Sequence, residues 1–108
     1  MSPTEQNIEL EFWSVNFTGK ARKQKKQLSQ AISSALDLLY GELEKEGPER
    51  KNWPHYGKII GKQDIYHCHL NRNKPCYVAV WKVIDRTVRV MEIRYVGTHE
   101  NANYKRID

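Results

Sequence analysis

Cys76-Tyr77-Val78-Ala79-Val80-Trp81-Lys82-Val83-Ile84 is the stretch that decides the fold. It is apolar on both parities, as a strand must be when both of its faces are covered, so it belongs in the middle of a sheet. Before it, Asn71-Arg72-Asn73-Lys74-Pro75 supplies turn chemistry, and Asp64 to Leu70 predicts a strand. After it, Asp85-Arg86 predicts a two-residue turn into a further strand from Thr87 to Val96. Three antiparallel strands in a meander result.

The first half of the chain must cover this sheet. In Ile8 to Phe17, Ile8, Leu10 and Phe12 alternate with Glu9 and Glu11, which predicts a strand with one buried and one wet face. The parity slips at Trp13, Val15 and Phe17, so a bulge or an exit into the next element is expected there. Residues 1–7 are polar and are expected to fray. Thr18 can cap a helix. From Lys20 to about Glu46, Leu28, Ala31, Ile32, Ala35, Leu36 and Leu39 form one apolar stripe, on one helix or on two divided at Gly41. Gly47-Pro48 ends it, since proline cannot continue the helical ladder. Residues 50–62, with Pro54, Gly57 and Gly61, read as a long loop open to functional use. The fold class is α+β: an N-terminal strand, one or two helices, then the meander completing a sheet with helices on one face. A single domain spans residues 1–108.

The bulk numbers narrow the function. A chain of 108 residues with 39% hydrophobic and 29% charged side chains builds one modest core and is too apolar for wholesale disorder. It has neither a bilayer-length apolar run nor a secretory leader pattern, which predicts a cytoplasmic protein with no membrane partner. The net charge of +5 favours an anionic partner, nucleic acid first. Five cations, Lys20, Arg22, Lys23, Lys25 and Lys26, crowd one short stretch. Composition leaves a nucleic-acid patch and a solvated helix face about even. Cys68 and Cys76 are read as free thiols. Their symmetric placement about Arg72 leaves a bridge across a hairpin as the other option.

The chemistry-bearing residues are the four histidines. His67 and His69 stand two apart on one strand, so both rings leave one face while Tyr66, Cys68 and Leu70 take the core side. His99 ends the segment Arg94-Tyr95-Val96-Gly97-Thr98-His99, and His55 lies in the long loop. Histidine titrates near neutrality, so such a group can give and take protons. RNA cleavage by the 2′-hydroxyl needs a base, an acid and cations for the phosphate, and no metal. Arg72, Lys74, Lys82, Arg89 and Arg94 lie on or between the strands, while Trp53, Tyr56 and Tyr104 are available to stack a base, with packing favoured for Trp53 and left open for Tyr56. A row of polar residues on a solvent face would look the same. A zinc site is the weaker rival: His-x-His can give two ligands with His99 or Cys68 as a third, but Cys68 points away and no CxxC or HExxH spacing occurs.

The segments Asp64 to Leu70, Cys76 to Val83 and Ile93 to His99, followed by Tyr104, resemble the RelE/ParE superfamily of type II toxin–antitoxin toxins, above all its YafQ- and HigB-like members. The resemblance implies a small endoribonuclease that cuts mRNA in the A site of the 70S ribosome and is held inactive by a cognate antitoxin, without metal or other cofactor. Residue by residue, the YafQ pattern lands on His55, His67, His69, His99 and Tyr104. His69 and His99 would be the main acid–base pair, with His67 and His55 orienting substrate or sharing proton transfer. Arg94, Arg72 and Lys74 would meet phosphate, Tyr104 would position a base, and Lys20, Arg22, Lys23, Lys25 and Lys26 would grip RNA.

The sequence departs from that pattern in three places. His67 stands where YafQ has an aspartate, Asn73 stands near the place of a second aspartate, and Tyr104 lies one residue further from His99. The alternatives are a non-catalytic RNA- or antitoxin-binding module of the same fold and a ParE-like toxin directed at gyrase.

Overall fold

The computed structural model describes residues 12–107. Within them the order is β1 (Ser14–Phe17), α1 (Gly19–Lys25), α2 (Gln30–Glu46), β2 (Gly57–Lys58), β3 (Ile65–His69), β4 (Tyr77–Asp85) and β5 (Val90–Thr98), closed by a 3-10 turn at Tyr104–Arg106. The five strands form one sheet in the order β1-β5-β4-β3-β2. β1 runs parallel to β5, and every other pairing is antiparallel.

The helices cover one face. Ala21 of α1 and Ile32, Leu36, Leu39 and Leu43 of α2 pack with Tyr66, Cys68, Ala79, Trp81, Val83, Met91 and Ile93. Trp81 is fully buried, and its indole N–H donates to the Pro48 carbonyl at 3.1 Å. Burial of each such large apolar side chain stabilises the fold by about 1.5–3 kcal/mol. On the opposite face a smaller cluster, Ile65, Val78, Val80 and Tyr95, lies under Ile59, Ala102, Tyr104 and Ile107. β4 is therefore central and covered twice, as its two-parity apolar pattern requires.

Several boundaries differ from the sequence reading. The proposed strand from Ile8 lies outside the described residues up to residue 11, as do residues 1–7. Ser14–Phe17 forms β1, with Val15 buried and Phe12 exposed. The helical stretch divides at residues 26–29 and not at Gly41. Ser29 caps α2 by accepting from the Ile32 N–H, and α2 then runs unbroken through Gly41. Gly47 ends α2 at φ 92°, a left-handed conformation that suits glycine. The loop of residues 50–62 contributes the short β2. The turn after β4 takes four residues, 86–89, because Asp85 stays in the strand and its carboxylate accepts from the N–H groups of Thr87 and Val88.

The reading of Cys68 and Cys76 as free thiols holds against the alternative of a bridge. Cys68 pairs with Ala79, and both thiols are free. The ladder continues through Leu70, whose N–H donates to the Tyr77 carbonyl, and the Cys76 sulfur lies against His69 and the Asn71 carbonyl, not against Cys68.

Candidate active site

β3 alternates as its sequence demands: Tyr66, Cys68 and Leu70 are buried beneath the helices, while His67 and His69 leave the other face half-buried. Two hydrogen bonds then bring the other histidines to them. The His69 N–H donates to the Pro54 carbonyl at 2.8 Å, which ties the preceding loop to the edge of β3. This seats His55, itself at a left-handed φ of 54°, with its ring stacked on His69 at 4.2 Å between centroids. The His99 N–H donates to the Cys76 carbonyl at 2.8 Å, and the His99 ring lies 5.4 Å from that of His69.

Tyr104 completes the group. Its ring lies 5.6 Å from His67 and 6.4 Å from His99. Two buried polar atoms here, the Tyr104 hydroxyl and His67 Nδ1, have no protein partner. His67 lies over Gly57, where a Cβ would stand 3.5 Å from Nε2, an ordinary van der Waals contact. Among the described residues no group of three or more His, Cys, Asp or Glu side chains converges to hold a metal ion.

The electrostatics keep the inner rings neutral. Burial pushes the His69 pKa below its ordinary value, and positive charge on His55, His99 or His67 would push it further. His67 is lowered in the same way, by burial first and then by His99 and His55. A neutral imidazole at neutral pH can accept a proton. Burial raises the Tyr104 pKa, so its hydroxyl stays protonated.

No protein-family model and no curated protein matches the chain. Solved structures do. It superposes on the isolated E. coli RelE toxin with a TM-score of 0.62 at 24% identity, over 86% of this chain and 90% of that one. With the archaeal RelE–RelB complex from Pyrococcus horikoshii OT3 the TM-score is 0.66 at 19% identity, over 84% and 99%. With the YoeB dimer from Staphylococcus aureus it is 0.63 at 15%, over 81% and 97%. The fold is that of the RelE toxins.

On this RelE-like sheet the cations are spread unevenly about the histidines. Lys74 lines a hollow of about 180 Å³ with Cys76, His99 and Glu100, so it is a cation beside the cluster. Arg72 is exposed on the same loop. Arg94 is the extra residue of a bulge, because Val80 and Trp81 of β4 pair with Tyr95 and Ile93. It forms an ion pair with Glu92 at 2.8 Å and lines a second hollow, of about 340 Å³, with Lys20 and Arg106. None of the four histidines lines that hollow.

The basic run divides between two sides of α1. Lys20 faces the Arg94 hollow, and Arg22, Lys25 and Lys26 border a groove of about 450 Å³ with Phe17 and Leu28. Lys25 sits over the Phe17 ring at 5.0 Å, and Lys23 is exposed.

Two stacking candidates prove to be packing residues. The Trp53 indole donates to Glu42 at 2.9 Å, and Tyr56 stacks on Tyr66 and Trp81. Glu42 also accepts from Asn52 at 2.9 Å and Arg50 at 3.2 Å. Burial alone would raise the Glu42 pKa, but these three donors hold it below the usual carboxylate value. Glu42 thus pins the loop that carries His55. Gln24 acts likewise on the other side, accepting from the Val96 N–H at 3.1 Å and joining α1 to the end of β5. Neither residue belongs to a motif, and no sequence signal pointed to them.

Proposed function

We propose that this chain is the toxin of a toxin–antitoxin pair and acts as a metal-independent endoribonuclease on mRNA at the ribosome, in the cytoplasm. The observation that carries the reading is the convergence of four histidines, from a loop, two positions of one strand and the end of another, at one end of a RelE-like sheet. His69, kept neutral by burial, accepts the 2′-hydroxyl proton as that oxygen attacks the adjacent phosphate. His99 protonates the departing 5′-oxygen. His67 and His55 orient these rings and the substrate. Lys74, which lines a hollow with His99, stabilises charge on the phosphate, with Arg72 on the same loop and Arg94 in a separate hollow. Tyr104 offers a face to a splayed base. The RelBE and YoeB–YefM complexes among the similar structures support a protein antitoxin as partner. Lys20, Arg22, Lys23, Lys25 and Lys26 grip ribosomal RNA, so ribosome affinity falls steeply as salt rises.

The test is cleavage of ribosome-bound mRNA by wild type, His69→Ala and His99→Ala, with mapping of the new 5′-ends. Each substitution is expected to lower the rate by about 10²–10⁴-fold, the contribution of a positioned acid or base. Cleavage by both variants at the wild-type rate overturns the assignment. Ribosome binding with no new 5′-ends in the wild type would favour the non-catalytic module.

A further inference from the structure

We propose that Cys76 is a positioning residue that sets which nitrogen of His69 faces the substrate. The inference rests on the reading of His69 as the proton acceptor.

The Cys76 sulfur lies 3.0 Å from His69 Nδ1 and 3.4 Å from the Asn71 carbonyl oxygen. A thiol has one hydrogen, and a backbone carbonyl can only accept. With the thiol hydrogen on Asn71, the sulfur lone pair takes a hydrogen from His69 Nδ1. A neutral imidazole carries only one N–H, so Nε2 is left with a free lone pair, which is what a general base requires. A thiol does this without adding the charge of a carboxylate.

The local structure holds the arrangement in place. The Asn71 side chain spans the β3–β4 turn, accepting from the Tyr77 N–H at 2.8 Å and donating to the Pro75 carbonyl at 3.2 Å. That fixes the Asn71 carbonyl against the sulfur. The carbonyl of Cys76 accepts from the His99 N–H at 2.8 Å. One residue therefore touches both members of the acid–base pair, His69 through its side chain and His99 through its backbone.

The test combines long-range nitrogen–proton NMR of histidine-labelled free protein with mRNA cleavage, for wild type, Cys76→Ala and Cys76→Ser. In the wild type, His69 is expected as the Nδ1–H form. Cys76→Ser, whose oxygen also accepts, keeps that form, and Cys76→Ala shifts the ring toward Nε2–H. In parallel, Cys76→Ala lowers kcat roughly tenfold with KM unchanged, a part of what a positioned base contributes, and serine restores most of it. A wild-type His69 in the Nε2–H form, or the same tautomer in wild type and Cys76→Ala, overturns the inference. Spectra that change as expected in a protein with no ribonuclease activity uphold the role of Cys76 in orienting the ring and overturn the ribonuclease reading instead.

Discussion

The Tyr95 hydroxyl donates to the Thr98 carbonyl at 2.8 Å, and it does so across Gly97. A Cβ at position 97 would stand 2.7 Å from that hydroxyl. The glycine is thus required by space, and the bond it permits fixes the chain just before His99. Gly97→Ala is expected to destabilise the protein by about 1–3 kcal/mol through overpacking. Tyr95→Phe, which loses only the hydrogen bond, costs about 0.5–1.5 kcal/mol. Urea denaturation of both variants checks the order. An alanine variant as stable as wild type would show that the strand end yields without strain.

Glu42 gathers Arg50, Asn52 and Trp53 on one carboxylate oxygen. Glu42→Ala leaves a partly buried indole N–H without its charged acceptor and frees the loop before His55. The expected loss is about 2 kcal/mol, in the range of one hydrogen bond to a charged group, because the three share an acceptor and do not add. The His55 ring resonances should move at the same time, since its stack on His69 depends on that loop. Unchanged His55 shifts in a destabilised variant would separate the loop anchor from the site.

Much of this was legible in the residues. The two-parity apolar run of β4 placed it at the centre, and the parity of His67 and His69 put both rings on one face with Cys68 behind them. The helix break was not legible at Gly41, because a glycine only weakens a helix, whereas Ser29 actively caps a new one. β5 misleads simple alternation. The bulge at Arg94 sends Ile93 and Tyr95 to opposite faces although they stand two apart. The sequence favours packing for Trp53, which holds, but leaves Tyr56 open because a sequence cannot show that Tyr66 and Trp81 occupy it. The contact of Cys76 with His69 depends on a turn whose shape no motif encodes.

The acid side of the activity profile follows from His69. Its pKa lies below the ordinary 6.5, by burial first and then by the charges of His55, His99 and His67. The acidic limb of kcat/KM therefore falls below pH 6.5. His55→Asn removes one of the repelling charges and should move that limb upward. A profile measured between about pH 5 and pH 8 decides it. A limb that is already above the ordinary histidine value in the wild type would mean that another group is the base.

The two thiols should differ sharply in reactivity. Cys68 is fully buried and its pKa is pushed up to about 12, by burial first and then by Glu42. Cys76 is only partly buried and lines the hollow beside His99. Iodoacetamide should label the native protein once, at Cys76, and the unfolded protein at both positions. Labelled protein should cleave more slowly, since the alkyl group displaces the sulfur from His69. Full activity after complete labelling of Cys76 would exclude the thiol from the site.

Stability should fall on the acid side because of His67. Its pKa in the folded protein lies below the ordinary 6.5, through burial and then the charges of His99 and His55. As pH drops through 6.5 the unfolded chain takes up the proton first, so the unfolded state gains. The contribution is therefore complete above the unfolded pKa and is lost as pH falls through the folded one. His67→Gln cannot titrate, and its Tm should decline less steeply over that window. Parallel Tm curves for wild type and variant would show that the proton is taken up elsewhere.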